Sequence, residues 1–196
     1  MNRQMIALVQ ESFAKVAPIA DTAARMFYKR LFTIAPALRP LFPDDLTNQR
    51  AKLMKTLALA VRGLSRPEQV VPVVEKLGRR HLAYGVEDAH YDIVGAALIW
   101  TLEQGLGDAF TDRVREAWLV TYNTIAEIMK DAAAKALAGA QADIAHLNRT
   151  SFYGAPRPLP VPAFAFETPE FRAWLDQAAF GALLRPTTVA VTQRPC

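Results

Sequence analysis

Apolar residues recur every three or four positions along the first 134 residues, which is the spacing of one face of an α-helix. Prolines and capping residues divide this pattern into consecutive helices at 5–16, 18–35, 47–64, 65–84, 88–106 and 111–134, with a short turn at 36–43. No clean alternation of apolar and polar residues, the sign of a strand, interrupts the pattern. The sequence therefore predicts an all-α core of about seven or eight helices.

Several residues mark where individual helices begin and end. Thr47 and Thr111 are predicted to cap the helices that follow them. Pro72 is expected to split the segment after residue 66 into a turn and a helix, and Gly85 is expected to end that helix. The helix at 88–106 is apolar almost all round, so we expect it to be deeply buried.

The composition of the chain changes near residue 134, first toward Ala and then toward Pro. Residues 1–134 are predicted to form one domain, and residues 135–196 a C-terminal extension that opens as an Ala-rich continuation of the last helix. Four prolines at 156–162 predict an extended linker, and an amphipathic helix is predicted at 168–184. That helix could cover its apolar face on the body of the protein, on a partner or on a second copy, so monomer and homodimer both remain open.

Composition and charge exclude several classes of protein. The chain is 52% apolar and 21% charged, as in ordinary globular proteins, and its longest nearly uncharged apolar run is too short to cross a bilayer. Its formal charge is +4, but the basic residues are scattered among acidic ones without a basic stripe, so no nucleic-acid partner is predicted. The N-terminus lacks a secretory signal and Cys196 is the single cysteine, which together predict a cytoplasmic protein without membrane insertion.

Histidine is scarce, and all three histidines lie in the second half of the sequence: His81, His90 and His146. A neutral histidine near the end of an amphipathic helix, as at His81, can hold a metal ion through a ring nitrogen. A lone histidine on a helix is more often a surface residue or a hydrogen-bonded core residue. The histidine by itself therefore leaves both interpretations open.

Residues elsewhere in the sequence favour a metal-cofactor pocket. Tyr28 lies on the apolar side of the second helix, so its hydroxyl is expected to point inward and to need a partner. Gln49 precedes Leu53 by one helical turn, which lets both side chains face one pocket. Phe42 lies at a tight corner beside a proline, where an aromatic ring can pack on a flat cofactor. With His81, these residues supply what a haem pocket for a diatomic gas requires.

Several short segments share their order and spacing with one known family. They are Phe27-Tyr28-Lys29-Arg30-Leu31-Phe32, Leu41-Phe42, Asn48-Gln49-Arg50-Ala51-Lys52-Leu53, Gly78-Arg79-Arg80-His81, Tyr84-Gly85-Val86, Asp88-Ala89-His90-Tyr91-Asp92-Ile93-Val94-Gly95 and Ala117-Trp118 with Tyr122. They resemble the motifs of bacterial single-domain haemoglobins and of the globin domain of flavohaemoglobins, over roughly residues 3–132. The resemblance implies a globin fold, in which a 3-over-3 helical sandwich encloses haem b.

The resemblance also implies a role for each matching position. His81 becomes the proximal ligand of the haem iron, and Tyr28 and Gln49 become the distal hydrogen-bonding pair. Leu53 forms the apolar ceiling, and Phe42 packs on the porphyrin.

Three further positions receive more general roles. Arg50 and Arg80 are candidate partners of the haem propionates, although solvated helix faces explain them equally well. Tyr91 matches a tyrosine that flanks the proximal histidine in the family.

Two departures from the family pattern qualify these roles. The loop from Phe42 to Gln49 is shorter than in flavohaemoglobins, which affects the placement of Gln49. The glutamate that flavohaemoglobins place beside the proximal histidine falls on Ala133, with Asp131 nearby. The carbonyl of Leu77, one turn before His81, is the expected acceptor of the second ring N–H.

The resemblance implies reversible binding of oxygen, nitric oxide and carbon monoxide, with oxygen transport as one use. Nitric oxide dioxygenation is a plausible enzymatic use, and because no G-x-G-x-x-G fingerprint is present, it would need an external reductase. A gas sensor or an oxygen-delivery protein acting through the C-terminal extension is the alternative. A globin-shaped regulator without haem is a third interpretation.

Overall fold

The computed structural model describes the backbone of residues 1–150 and the side chains of residues 1–144. The predicted linker at 156–162 and the predicted helix at 168–184 lie outside the described residues. Within the described residues, three short 3₁₀ helices lie at Ala17–Ile19, Pro36–Leu41 and Gly107–Ala109. The α-helices in this part of the chain are α1 Arg3–Val16, α2 Ala20–Ile34, α3 Thr47–Gly63, α4 Pro67–Ala83, α5 Asp88–Leu106 and α6 Asp112–Thr150. The described residues contain no strand, which confirms the all-α prediction.

The described part has six α-helices, whereas the sequence predicts about seven or eight helices, and two sequence signals act differently from the prediction. The segment after Pro36 is a 3₁₀ helix, and Pro72 does not split α4. Pro72 removes only one backbone donor, and Val70 and Val74 on either side of it pack into an apolar cluster with α6. Tertiary packing therefore carries the helix through the proline.

The predicted helix ends are confirmed at two positions and wrong at one. The Thr111 hydroxyl accepts a hydrogen bond from the backbone N–H of Val114 near the start of α6, as expected of a cap. Gly85 adopts a φ of 74° beyond α4, and the N–H groups of Gly85 and Val86 bond back to the last turn. Thr47 is the first residue of α3 rather than its cap, because its own N–H bonds to the Asp45 carboxylate at 2.9 Å.

Helix α5 runs through the interior, as its apolar composition predicts. Its buried residues are Tyr91, Gly95, Ala97, Leu98, Ile99, Thr101 and Leu102. The Thr101 hydroxyl bonds to the Ala97 carbonyl at 2.8 Å, which satisfies the buried polar group within the helix. Within the described part of the chain, no helix has the length and apolar character needed to cross a membrane.

The larger of the two apolar clusters found among the described residues joins α1, α2, α3, α5 and α6 and includes Trp118. The Trp118 side chain is 1% exposed, and its indole N–H donates to the Ser12 hydroxyl at 2.9 Å. Ser12 donates in turn to the Leu8 carbonyl at 2.6 Å. The hydrogen-bonding groups of this buried contact between α1 and α6 are therefore satisfied.

The second apolar cluster joins α4 to α5 and α6 through Val74, Tyr91, Ala126 and Met129. The backbones of α4 and α6 approach closely at Gly78. A Cβ atom at Gly78 would lie 2.3 Å from the Met129 carbonyl oxygen and 2.7 Å from the Met129 Cα. Because the obstructing atoms belong to the backbone, no side chain fits there unless a helix moves.

The burial of α6 decreases along the part whose side chains the structure describes. Among residues 112–144, Ala132 is the last buried one, and residues 137–144 are all exposed. This profile is compatible with the predicted boundary near residue 134, which remains a prediction.

We predict that Gly78→Ala destabilises the haem-free protein by about 1–3 kcal/mol, because the added methyl group forces α4 away from α6. Urea unfolding followed by circular dichroism measures the change. Gly105→Ala is the matched control, since a Cβ there lies 3.7 Å from the Ile19 side chain in ordinary contact. That control should be neutral or stabilising by roughly 0.5–1 kcal/mol. Equal effects of the two substitutions would contradict the prediction.

Candidate functional site

The structure brings Tyr28 of α2 and Gln49 of α3 together. The Tyr28 side chain is 4% exposed, and the Gln49 side chain lies beside its phenol. Burial raises the pKa of Tyr28, although the Gln49 side chain and the charge of Arg50 oppose that shift. Tyr28 therefore remains a protonated phenol, able to donate a hydrogen bond, at neutral pH.

Aromatic rings surround the Tyr28 phenol. The ring of Phe42 meets that of Tyr28 edge-on at a centroid distance of 5.6 Å, and Phe32 lies 5.9 Å from Tyr28. Phe32 and Phe42 also contact each other at 5.4 Å, while Phe27 packs edge-on against Tyr28 at 5.1 Å. Phe42, which follows the 3₁₀ helix, is thus held against Tyr28, the side chain beside which Gln49 lies.

Leu53 and Arg50 extend this group along α3. Leu53 is half-buried and packs against the larger apolar cluster. The Arg50 guanidinium pairs with the Asp21 carboxylate at 3.2 Å and donates to the Thr47 hydroxyl at 3.3 Å. Arg50 therefore ties the start of α3 to α2, which carries Tyr28.

His81 lies on the last turns of α4, with one ring nitrogen committed to the backbone. Its Nδ1 lies 3.0 Å from the Leu77 carbonyl oxygen. A carbonyl oxygen only accepts hydrogen bonds, so Nδ1 of the neutral ring carries the proton. Burial lowers the pKa of His81, and the bond to Leu77 opposes that shift. The Nε2 lone pair is therefore the one available to a metal.

Tyr91 and α6 support the other side of His81. The rings of His81 and Tyr91 meet edge-on at a centroid distance of 6.0 Å. The Tyr122 hydroxyl of α6 donates to the backbone carbonyl of Tyr91, and the Lys130 ammonium lies 5.7 Å from the Tyr91 ring centroid. Burial raises the pKa of Tyr91, and the Asp88 carboxylate acts in the same direction. Tyr91 is therefore held from α6 by a hydrogen bond and by a cation.

The site residues form two groups in different parts of the core. Tyr28, Phe42 and Leu53 belong to the larger cluster, whereas Tyr91 belongs to the second one. Arg80 lies next to His81 and is half-buried, with interactions of its own. Tyr122 packs against both clusters and so lies between the two groups.

This donor set fits a haem group. His81 offers one neutral imidazole nitrogen whose orientation is set by its second hydrogen bond, as in metal-binding histidines generally. Tyr28 and Gln49 offer a polar pair among aromatic side chains. Arg50 and Arg80 are the cations that could meet the carboxylates at the edge of a porphyrin.

Sequence reasoning overlooked three residues that position His81. Gly78 was noticed only as part of a motif, although a glycine inside a helix costs stability and thereby signals a close approach. Tyr122 likewise enters the sequence analysis only as part of a motif, yet its hydroxyl bonds to the Tyr91 carbonyl. No sequence pattern points to a role for Lys130, because its contact with Tyr91 depends on how α6 packs against α5.

A surface cleft of about 380 Å³ lies between α5 and α6, lined in part by Trp100, Glu103 and Arg115. Glu103 and Arg115 form an ion pair with each other in its wall. None of the residues predicted for the haem pocket lines this cleft. The cleft is therefore separate from the candidate site.

Comparison with known proteins identifies a family. The family model named Globin matches residues 25–129. A flavohemoprotein from Bordetella parapertussis is 30% identical over 133 residues, which cover 66% of this chain and 33% of that protein. A flavohemoprotein from Bacillus subtilis is 29% identical over 132 residues, covering 65% and 33%. The chain thus spans about a third of the length of these relatives.

Solved structures support the same fold. A bacterial globin from Campylobacter jejuni superimposes with a TM-score of 0.60 at 24% identity, covering 69% of this chain and 99% of its own. A carbene transferase engineered from a Rhodothermus marinus protein gives a TM-score of 0.63 at 24% identity, covering 72% and 99%. These similarities concern the fold.

We predict that neutral His81 and His90 adopt opposite tautomers. His81 donates from Nδ1 to Leu77, whereas the Nδ1 of His90 accepts from the Glu87 backbone N–H at 3.0 Å and must be unprotonated. Long-range ¹H–¹⁵N correlation spectra of the haem-free protein at alkaline pH distinguish the two nitrogens, and His90 is the internal control. The same tautomer in both rings would refute the geometry described for His81.

Proposed function

The chain belongs to the globin family, and we propose that it binds haem through His81 and holds a diatomic gas beside Tyr28 and Gln49. The observation that carries the proposal is the hydrogen bond from His81 Nδ1 to the Leu77 carbonyl. It leaves Nε2 unprotonated, and burial disfavours the charged ring that could not bind a metal.

When bound, haem supplies an iron atom that takes up oxygen, nitric oxide or carbon monoxide and that changes oxidation state. We infer haem b, because the single cysteine cannot form a C-x-x-C-H attachment motif. His81 would hold the iron through Nε2, and the half-buried Arg50 and Arg80 would meet the propionates. Tyr91, packed edge-on against His81, would limit rotation of the imidazole.

The Tyr28 phenol and the Gln49 amide would act on the gas. Both side chains would be preorganised hydrogen-bond donors in a pocket that excludes water, and such donors stabilise a ligand that carries partial negative charge. Burial keeps Tyr28 protonated, so it retains the proton that it must donate. Leu53 and Phe42 would exclude water from the pair.

We infer nitric oxide dioxygenation as one use of this pocket. Nitric oxide and dioxygen combine with one electron to give nitrate, so continued turnover requires an external electron donor. The relatives named flavohemoprotein support this reading over the one third of their length that the chain matches. Oxygen transport would use the same pocket but would require no electron donor. The gas-sensor alternative depends on residues beyond the described part of the chain.

Absorption spectra of the purified, haem-reconstituted protein test the proposal directly. The oxidised, reduced and carbon monoxide-bound forms should each give a distinct haem spectrum, with a five-coordinate reduced form. Failure to take up haem stoichiometrically would refute the proposed function.

We predict that His81→Ala abolishes tight haem binding, whereas His90→Ala retains it. His90 lies in the first turn of α5, where its ring accepts a hydrogen bond from the Glu87 N–H, and so on a different element from His81. Haem titration monitored by absorbance gives the affinity of each variant. A normal five-coordinate reduced spectrum in both variants would show that another residue holds the iron.

We further predict that Tyr28→Phe speeds oxygen release from the haem-loaded protein by roughly ten- to a hundredfold. The lost hydrogen bond to a partly charged group is worth about 1.5–3 kcal/mol, and about 1.4 kcal/mol corresponds to a factor of ten. Gln49→Leu should act in the same direction but less strongly. Stopped-flow displacement of oxygen by carbon monoxide measures the rate, with His90→Ala as the control. An unchanged rate in Tyr28→Phe would exclude the phenol as a donor to the gas.

A further inference from the structure

One arginine side chain holds the 42–46 corner, the short connection between the 3₁₀ helix Pro36–Leu41 and α3. Arg39 lies on that 3₁₀ helix. Its Nη1 donates to the backbone carbonyl of Phe42 at 2.9 Å and to that of Pro43 at 3.0 Å. Its Nη2 donates to the carbonyl of Asp44 at 3.2 Å. Three consecutive carbonyl oxygens therefore converge on a single guanidinium.

The chemistry of arginine suits this arrangement. Backbone carbonyls that lie outside helices and strands still need hydrogen-bond donors. A guanidinium offers five N–H groups in a rigid planar fork and keeps its charge at every relevant pH. Hydrogen bonds from a charged donor are stronger than those between neutral groups. The additional pairing with the exposed Asp44 carboxylate, at 3.5 Å, adds little. The bonds to the backbone are therefore what restrains the corner.

Arg39 also contacts the aromatic group around Tyr28. Its guanidinium carbon lies 5.3 Å from the centroid of the Phe32 ring, within the range of a cation–π contact. Phe32 in turn contacts both Tyr28 and Phe42. Arg39 therefore reaches the Tyr28 ring by two routes, through the main chain of Phe42 and through the ring of Phe32.

A second hydrogen bond fixes the far end of the corner. The Asp45 carboxylate accepts from the backbone N–H of Thr47 at 2.9 Å, and Thr47 is the first residue of α3. Gln49 follows two residues later on the same helix. The restraints from Arg39 and Asp45 together set where Phe42 and the start of α3 lie relative to α2.

We propose that Arg39 is a positioning residue of the candidate haem pocket, because its guanidinium fixes the 42–46 corner and so holds the Phe42 ring against Tyr28. This inference rests on the proposed function, in which Phe42 packs on the porphyrin. Arg39 acts through Phe42 and Phe32 rather than on the cofactor itself. Without the guanidinium, three carbonyls lose their donor and Phe42 gains freedom to leave its place.

The first test measures haem loss from the haem-loaded full-length chain to an excess of apomyoglobin, followed by absorbance. Arg39→Met removes the donors but keeps an aliphatic side chain, and it should speed haem loss by roughly tenfold, equivalent to about 1.4 kcal/mol. Arg39→Lys should also speed it, because a compact ammonium cannot present a planar fork. An unchanged rate in Arg39→Met, or full rescue by lysine, would overturn the proposal.

A double-mutant cycle tests whether the effect passes through Phe42. In a Phe42→Leu background, Arg39→Met should change the rate of haem loss much less than in the parent protein, because residues that act through one another are not additive. Equal effects in the two backgrounds would show that Arg39 acts elsewhere and would overturn its positioning role.

Arg115→Met is the matched control. The Arg115 side chain is 38% exposed against 36% for Arg39, forms an ion pair with Glu103 and lies 4.9 Å from the centroid of the Phe110 ring. It lines the cleft between α5 and α6, away from the candidate site. Haem loss should be unchanged in this variant. An acceleration equal to that of Arg39→Met would indicate general destabilisation and contradict the proposal.

Amide hydrogen exchange of the haem-free full-length chain gives a readout that does not depend on the cofactor. Peptides that cover residues 42–48 should exchange faster in Arg39→Met than in the parent protein, whereas peptides from α5 should not change. Unchanged exchange at the corner would overturn the proposal, as would faster exchange with an unchanged rate of haem loss. If the parent protein takes up no haem, the proposed function fails and the role in the haem pocket fails with it, while exchange still reports whether Arg39 restrains the corner.

Discussion

The absence of a side chain at Gly78 determines where α4 lies. Helix α4 packs chiefly against α6, and at Gly78 the two backbones meet so closely that a Cβ would lie 2.3 Å from the Met129 carbonyl oxygen. His81 follows Gly78 by three residues on the same helix. Because protein interiors are densely packed, a contact between two backbones leaves little freedom to adjust. Main-chain atoms therefore set the position of His81 relative to α6.

Burial favours the neutral form of both Tyr28 and His81, the form in which each can act in the candidate site. The same desolvation raises the pKa of Tyr28 and lowers that of His81, because in each case it disfavours the charged state. Tyr28 consequently keeps a proton to donate, and His81 keeps a lone pair for a metal. The charged groups lie at the edge of the candidate site, where Arg50 pairs with the exposed Asp21.

The surroundings of His81 distinguish this chain from the pattern it resembles. By the resemblance, the position of the flavohaemoglobin glutamate falls on Ala133, and in the structure His81 Nδ1 meets the neutral carbonyl of Leu77. The Tyr91 ring, which packs edge-on against His81, has the Lys130 ammonium over its face. A carboxylate would raise the basicity of an imidazole ligand more than a carbonyl does. With His81 as the proposed haem ligand, these surroundings would make its imidazole less electron-donating than a carboxylate partner would.

The sequence alone determined the features that depend on local spacing. Helical periodicity placed Tyr28 inward, the i to i−4 geometry of a helix placed Leu77 beside His81, and a glycine after Tyr84 predicted the end of α4. Only the tertiary structure decided which distant residues meet. Tyr28 and Gln49 belong to different helices, as do Tyr91 and Tyr122, and no local spacing specifies the angle or register at which two helices pack. The continuity of α4 through Pro72 has the same origin. Pro72 indicates that the local backbone disfavours a continuous helix. Packing of α4 against α6 stabilises the helix enough to override that preference.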